Sequence, residues 1–387
     1  MTSRDSNTAA RACNAGSGVE QAIRAAALDL GFAAFGVTDA DDLACGPVLE
    51  QWLEDGRHGD MQYLAEKHDR RLSPTLVLPG ARSIIVVAWA YSASFTPDPD
   101  WRRLLRGRIA AYAVGPDYHV HVGGKLERLA AFVRETTGAE SVVHVDGGPL
   151  VEKELARRAG LGWYGHNTNI LRPGSGSSFV LGAIVTEAEL EPNAPFAADH
   201  CGTCRACVPA CPTGALGKGP TIDARLCISY LTIEHRGPLP RELRAAIGGW
   251  VFGCDVCQQV CPWNEAAAGQ HPLQNPWLPG WLAMSEEEFR ATFAGTALVR
   301  PKRRGLARNA AVVLANTGNP DAVPFLARAL AEHDEPLVRA HAAWALGVLG
   351  GREADAALAG ASRREGVPPV RREIDEAVAA RAAQLLV

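Results

Sequence analysis

Eight of the ten cysteines of this 387-residue chain lie between residues 201 and 261, at spacings that suit metal binding. The first four form a C-x2-C-x2-C-x3-C run followed by proline, and a shortened run ends before a second proline. In such paired runs three thiolates hold one cubane cluster, and the cysteine before proline reaches the neighbouring one. The spacing therefore predicts two [4Fe-4S] clusters. One is assigned to Cys201, Cys204, Cys207 and Cys261, and the other to Cys211, Cys227, Cys254 and Cys257.

Paired zinc sites are the alternative for these eight cysteines. They would need only isolated C-x2-C pairs, with no proline after the last cysteine, so the proline-terminated runs favour iron. The remaining Cys13 and Cys45 lie outside both runs and are interpreted as incidental thiols.

Two clusters in series make an electron path, which implies a further redox cofactor. Gly160, Gly162 and Gly165 match the dinucleotide pattern G-x-G-x-x-G, but they follow a helical segment instead of a strand. A turn or a pocket wall is therefore the favoured interpretation of these glycines. Asp117 and His119 nearly complete the corrinoid motif D-x-H-x-x-G, but the glycine comes one place late. No axial histidine is predicted from them.

The elements that must position these residues follow from hydrophobic periodicity. Residues 19–191 alternate helix and strand patterns, which predicts an α/β domain. Its continuous β-branched run, Ser83–Trp89, is typical of a strand buried on both faces, and the longest apolar run is Ile84–Tyr91. The other predicted strands are Phe32–Val37 and Ser178–Thr186, and the predicted helices are Val19–Leu30, Val122–Thr136 and Pro149–Ala159.

Beyond this domain the pattern changes twice. Residues 192–265 carry the cysteines and predict a ferredoxin-like module, and residues 266–387 predict a linker and a helical tail. The tail alternates Ala/Leu-rich helices with short polar turns, which is typical of HEAT-like repeats. The predicted helices are Leu306–Leu314, Ala322–Ala331, Pro336–Leu349 and Arg372–Leu386.

Composition narrows the class of protein. With 47% apolar and 21% charged residues, the chain is neither disordered nor a small disulfide scaffold, and no apolar run is long enough to span a membrane. Residues 1–18 lack the apolar core of a secretory signal and are interpreted as a flexible leader on a cytoplasmic protein. A net charge of -4 gives no overall attraction to nucleic acid, so such contacts would need a local basic patch.

Several stretches together resemble one family, the cobalamin-dependent epoxyqueuosine reductases, which complete queuosine synthesis in tRNA. The resemblance spans about residues 20 to 350. The matching stretches are Gly59 to Pro79, Asp117 to His119 (DYH), Asp146 to Thr168 (DGGPLVEKELARRAGLGWYGHNT), the cysteine module with Asp223 to Gly237, and Arg300 to Ala310. The resemblance implies a corrinoid-binding α/β domain, a two-cluster domain and a HEAT-like tail.

The resemblance also implies a mechanism. A corrinoid reduced to Co(I) would attack the epoxide carbon, while Asp146 donates a proton to the opening oxygen. A carboxyl that donates a proton near neutral pH needs a raised pKa, so we expect Asp146 in a desolvated cavity. An ordinary helix N-cap ahead of the segment from Pro149 is the alternative role for Asp146.

Further corrinoid contacts are implied by the family's motifs, although polar residues of this kind also satisfy turns. Two residues depart from the family pattern: His166 stands where lysine is common, and Gly147 stands where serine or threonine is common. The implied contacts are Arg71, Tyr118, His119, Asp146, His166, Asn167, Ser229, His235, Cys254 and Asp255.

A basic run at the start of the helical tail is the predicted contact with tRNA. It contains five cations and no acid within nine residues, although a solvated charge run is the alternative interpretation. The five are Arg300, Lys302, Arg303, Arg304 and Arg308.

The implied partners are a tRNA carrying epoxyqueuosine and an external low-potential electron donor of the ferredoxin or flavodoxin type. A reductive dehalogenase is an alternative with the same cofactors, which the basic tail and the lack of a twin-arginine signal disfavour. A ferredoxin-like carrier with an interaction scaffold is another, although a carrier needs no second cofactor chamber.

Overall fold

The structure is a computed structural model, and it describes residues 18–92, 98–217, 219–264 and 274–384. Most of the predicted leader, with Cys13, lies outside these residues. Within them, no helix has the length and apolar character needed to cross a membrane.

The elements follow one another in three groups. The strands are β1 (Ala34–Asp39), β2 (Ser83–Ala90), β3 (Arg108–Ile109), β4 (Ser141–His144), β5 (Trp163–Tyr164), β6 (Ile170–Leu171), β7 (Phe179–Thr186) and β8 (Trp250–Phe252). The helices of the first two groups are α1 (Gly18–Asp29), α2 (Gly46–Glu54), α3 (Tyr63–Glu66), α4 (His68–Leu72), α5 (Tyr118–Thr137), α6 (Glu152–Arg158), α7 (Cys207–Ala210), α8 (Ile228–Ile233), α9 (Arg241–Arg244) and α10 (Val256–Gln259). The tail contains α11 (Leu278–Ala283), α12 (Glu286–Phe293), α13 (Lys302–Asn316), α14 (Val323–Glu332), α15 (Pro336–Leu349), α16 (Arg352–Ser362) and α17 (Pro368–Gln384).

A four-stranded sheet in the order β1-β2-β7-β4 is the centre of the first group, and its strand pairs are antiparallel. Six consecutive residues at the start of β2 are buried, because helices cover both faces of the sheet. On one face Ile85 packs with Ile23 of α1 and Leu126 of α5, and on the other Ile84 packs with Leu155 of α6. The long apolar run therefore forms the doubly covered strand that its pattern predicts.

The cysteine module consists of short helices and loops that pack against the α/β domain. α7 begins at Cys207, Cys227 precedes α8, and Cys257 lies within α10. Strand β8 pairs in parallel with β3, which joins the module to the α/β domain. The cysteine-bearing loops therefore lie at the junction between the α/β domain and the cysteine module.

Within the tail, the five helices α13 to α17 stack on one another. The predicted α15 has the observed bounds, while α13 begins four residues earlier than predicted, at Lys302. Helix α16 is absent from the sequence prediction because its buried positions are mainly alanine, which gives a weak apolar pattern. The buried His341 accepts a hydrogen bond from the backbone N–H of Leu239 at 3.1 Å, and this contact ties the tail to the cysteine module.

Candidate active site

A cavity of about 470 Å³ lies between the α/β domain and the cysteine module. Tyr91, Tyr112 and Tyr118 form an aromatic wall on the domain side, and Cys227, Cys254 and Cys257 belong to the opposite wall. A molecule in this cavity would contact the α/β domain and three of the predicted cluster ligands at once. Of the ten residues implied as corrinoid contacts, six line it: Tyr118, Asp146, Asn167, Ser229, Cys254 and Asp255.

Asp146 stands at the edge of the cavity in an unusual backbone conformation. Its φ is +49°, and the N–H of Gly147 donates a hydrogen bond to the carbonyl oxygen of Val145 across it, which makes a tight three-residue turn. A positive φ is costly for a residue with a side chain, on the order of 1–3 kcal/mol, and such residues concentrate at functional sites. The turn therefore stores backbone strain at the edge of the cavity.

The expected burial of Asp146 is wrong for this conformation, since its side chain is 60% exposed. The N-cap alternative is also wrong, because α6 begins at Glu152 and no side chain caps it. The carboxylate instead accepts a hydrogen bond from the hydroxyl of Tyr118. Burial and the charge of Asp146 raise the pKa of Tyr118, so this hydroxyl stays protonated and donates.

His119 approaches Asp146 from outside the cavity. Its Nε2 lies 3.9 Å from the carboxylate Oδ2, and its Nδ1 lies 2.8 Å from Oδ1 of Asp117. The ring stacks on Tyr118 with centroids 4.2 Å apart. Asp117 also accepts from the backbone N–H of His119 and thereby caps α5. His119 therefore faces the proposed acid in this structure and does not line the cavity.

Two cavity residues, Glu152 and Lys153, were missed by the sequence analysis. Burial and the charge of Asp146 raise the pKa of the Glu152 carboxyl to about 7, and its Oε1 is buried without a hydrogen-bond partner among the described residues. Lys153 lines the cavity, and its Nζ donates to the carbonyl oxygen of Thr168 at 2.9 Å. Loss of contact with water lowers the pKa of this ammonium group. Both lie in the family-like stretch, but an acidic residue such as Glu152 is common in the first turn of a helix, where it complements the helix dipole.

The cavity floor is held by buried polar groups. Asp255 is 1% exposed, and its Oδ2 accepts from the N–H of Ala111 at 2.8 Å. Burial raises the pKa of this carboxyl to about 6. The amide of Asn167 donates to the carbonyl oxygen of Cys257 at 3.4 Å, which links the segment after β5 to the cysteine module.

Three implied corrinoid contacts lie elsewhere. Arg71 donates to the carbonyl oxygens of Tyr63 and Gly148, at 3.0 and 3.3 Å, and so braces the loop that carries Asp146. His235 is satisfied by Asp60 and by the carbonyl oxygen of Pro238. His166 lines a smaller cavity beside the surface cysteines. In this structure Arg71 and His235 are thus held outside the large cavity by their local partners, and His166 lies outside it beside the surface cysteines.

The structure places seven of the eight cysteines of the module in the walls of two cavities. Four line the smaller cavity together, and we call them the surface set: Cys201, Cys204, Cys207 and Cys261. We call the other four the deep set. Cys227, Cys254 and Cys257 line the large cavity, and Cys211 lies close enough to Cys227 and Cys257 for their charges to interact. Burial, followed by the charges of its neighbours, raises the pKa of Cys257 to about 12. Burial also raises the pKa of Cys227 and Cys254, so these three thiols would need a metal to be held as thiolates.

Two members of the predicted basic patch are wrong as phosphate contacts. Arg308 is 0% exposed, and its guanidinium donates to the carbonyl oxygens of Leu231, His235 and Gly237. Arg303 is nearly buried and donates to Asp334 at 2.6 Å. Both guanidinium groups donate to partners inside the protein, where helix α13 packs on its neighbours, and neither is available to a phosphate.

The exposed part of the patch is smaller. Lys302 and Arg304 are exposed at the start of α13. Arg300 is half-exposed, with its Nε 2.5 Å from Oε1 of Glu234 and its guanidinium over the ring of Tyr63. These three cations remain within reach of a polyanion.

Comparison with known proteins agrees with this arrangement. Residues 71–147 match the family described as "Epoxyqueuosine reductase QueG, DUF1730", residues 200–264 match "4Fe-4S double cluster binding domain", and residues 296–379 match "HEAT repeats". The epoxyqueuosine reductase of Alicycliphilus denitrificans is 38% identical over 343 residues, which cover 83% of this chain and 95% of that protein. That of Escherichia coli is 36% identical over 338 residues, which cover 84% and 88%.

Solved structures give the same result. A crystal structure of epoxyqueuosine reductase with an epoxyqueuosine-modified tRNA-Tyr stem loop has a TM-score of 0.86 and 30% identity, covering 94% of this chain and 99% of that one. The Bacillus subtilis enzyme, solved with its catalytic aspartate loop swung out of the active site, has a TM-score of 0.84 and 30% identity, covering 94% and 98%.

Fold and site therefore define a reductase that combines a double-cluster domain with a HEAT-repeat tail. The identities and coverage place it more narrowly. The chain belongs to the epoxyqueuosine reductase family.

Proposed function

We propose that this protein reduces epoxyqueuosine to queuosine at the wobble position of tRNA, with cobalamin in the large cavity and two [4Fe-4S] clusters as the electron path. The observation that carries the proposal is the shared cavity wall. Asp146 stands at one side, and Cys227, Cys254 and Cys257 stand at the other. Removal of an epoxide oxygen as water takes two electrons and two protons. The cysteine side of the cavity would supply the electrons, and the Asp146 side would supply protons.

The residues present fit the two kinds of cofactor. Eight thiols in two groups of four are the donor set that two cubanes require. Both ring nitrogens of His166, which lines the cavity of the surface set, are buried without a partner among the described residues. The large cavity offers an aromatic wall together with amide, hydroxyl and carboxyl groups. When bound there, the corrinoid supplies a low-valent metal centre that can reduce an epoxide.

The proton is assigned to Asp146. Its hydrogen bond from Tyr118 holds the carboxyl at the cavity edge, and Arg71 braces the same loop through Gly148. Closure of the turn over a bound substrate would exclude water from the carboxyl, which proton donation to the opening epoxide oxygen requires. The swung-out aspartate loop of the B. subtilis enzyme supports a mobile role for this turn.

The tRNA is assigned to the exposed side of the cavity, with Lys302, Arg304 and Arg300 as phosphate contacts. These cations lie at the start of a rigid helical stack, and the stem-loop complex of the related reductase supports an RNA partner. The electron donor we propose is an external low-potential protein of the ferredoxin or flavodoxin type, which would deliver to the surface set because Cys204 is exposed there.

Two successive titrations of anaerobically purified protein test this assignment. Cobalamin is added first, then a tRNA stem loop that carries epoxyqueuosine, and the corrin absorption spectrum is recorded after each addition. We expect a saturable change at both steps, and an unmodified stem loop is the control for the second. A corrin spectrum that the protein leaves unperturbed would instead identify an electron carrier.

A further inference from the structure

The glycine pattern at residues 160–165 has a structural consequence that dinucleotide binding does not explain. The chain passes from α6 into strand β5 so closely that a Cβ at Gly162 would overlap the carbonyl oxygen of Leu171. Gly160 has a φ of +74°, and a Cβ there would lie 2.7 Å from the carbonyl oxygen of Ala194. Both positions therefore require glycine, and the tight path fixes the residue that follows them, Trp163.

Trp163 lies directly against the surface set. It is 3% exposed, and its indole Nε1–H donates to Sγ of Cys201 at 3.5 Å. The ring is clamped by Phe196, His200 and Trp263, with centroid distances of 5.5, 4.9 and 5.0 Å. Few rotamers remain open to a side chain enclosed in this way, so the N–H is held toward the sulfur.

Hydrogen bonds to the sulfur atoms of an iron-sulfur cluster change its reduction potential. A donor stabilises the more negative, reduced state more than the oxidised state, and burial strengthens the effect because water does not compete. The indole is a donor without a titrating proton, so its influence is independent of pH across the neutral range.

We propose that Trp163 is a positioning residue for electron transfer: its indole N–H raises the reduction potential of the surface cluster through Cys201. The potential difference between the surface and deep clusters would then be set by the glycine-dependent segment at residues 160–165. The inference rests on the proposed function only in that Cys201 is taken as a cluster ligand.

The test is an EPR-monitored redox titration of the holoprotein with both clusters loaded. We expect Trp163→Phe, which keeps an aromatic ring but removes the N–H, to shift the potential of one cluster to a more negative value and leave the other in place. Trp89→Phe is the matched control, because it makes the same substitution in the α/β domain, where Trp89 packs on Phe32 and His121, and leaves the bond to Cys201 intact. Its potentials should equal those of the wild type.

Iron content is measured in each sample. If Trp163→Phe fails to hold its clusters, the benzothienyl analogue of tryptophan at position 163 replaces only the N–H by sulfur and keeps the shape. Unchanged potentials with both clusters bound would overturn the inference and leave the proposed reaction intact. Absence of clusters from the reconstituted wild type would instead overturn the proposed electron path.

Discussion

The surface set and the deep set of cysteines come from related sequence runs, yet they occupy opposite environments. Cys204 is exposed on a loop whose neighbours from residue 202 to residue 206 are all exposed. Cys254 and Cys257 belong instead to the wall of the large cavity, where burial raises the pKa of both thiols. In the proposed reaction, similar spacing would thus serve two tasks: the surface set would receive electrons from an external donor, and the deep set would pass them to the large cavity.

The largest expected effect separates these two tasks. Cys254→Ala removes a proposed deep ligand and should abolish epoxide reduction with any reductant, since the cysteines that line the cavity among the described residues all belong to the deep set. Cys204→Ala should abolish turnover with a protein donor but retain part of it with a small chemical reductant, which can bypass the surface cluster. Turnover is measured with both reductants, and cluster content by EPR. Equal loss in the two variants with both reductants would contradict the division of tasks.

On the proton side of the cavity, Asp146→Asn should lower turnover by about 10²–10⁴-fold, the usual contribution of a positioned general acid. Amide and carboxyl are similar in size, so cluster content and cobalamin binding should match the wild type. The rate is measured under single-turnover conditions. A rate within a factor of two of the wild type would remove Asp146 from the mechanism.

The basic patch gives a contrast between exposed and buried cations. Lys302→Glu with Arg304→Glu should weaken stem-loop binding and reduce the slope of log affinity against log salt by about 2, roughly one unit for each lost phosphate contact. Arg308→Met should instead lower stability by about 3–5 kcal/mol, because it leaves buried carbonyl oxygens without donors. Binding titrations at several salt concentrations and thermal unfolding separate the two. An unchanged salt slope in the exposed pair would show that RNA lies elsewhere.

The smallest effect concerns Glu152 and pH. Its pKa is raised from an ordinary value of 4.5 to about 7, so between these values the folded protein holds a proton that the unfolded chain has lost. This contribution to stability is fully present below pH 4.5 and is lost as pH rises through 7, by about 1–3 kcal/mol in total. Glu152→Gln should therefore flatten the decline of the unfolding temperature between pH 5 and pH 8. Parallel curves for variant and wild type would argue against the raised pKa.

The kind of chemistry could be proposed from the sequence, whereas the burial of individual charged residues could not. Cys201, Cys204 and Cys207 lie together because two residues separate each from the next, while Cys261 reaches them from the end of the second run. Arg304 and Arg308 look alike in the sequence and lie on the same helix, but one turn of helix separates an exposed cation from one that is 0% exposed. Their difference is set by residues 231–237, which pack on α13 from a distant part of the chain.

The candidate active site also combines features that the sequence suggests with features that depend on packing between distant segments. Asp146 could be proposed from the family-like stretch, but its positive φ and its partner Tyr118 depend on how α5 meets the loop. Glu152 and Lys153 have no distinctive spacing in the sequence, and an acidic residue is common in the first turn of a helix. Only the cavity between the two domains reveals that both face the space where the proposed reaction takes place.

The most direct test of the central claim is mass spectrometry of the nucleosides from a tRNA that carries epoxyqueuosine. The tRNA is incubated anaerobically with the wild-type protein, whose iron and cobalamin contents have been verified, and with a low-potential reductant. The account predicts that the epoxyqueuosine signal is replaced by queuosine, and that the same protein without cobalamin leaves the substrate unchanged. Epoxyqueuosine that persists in the presence of fully loaded protein would contradict it.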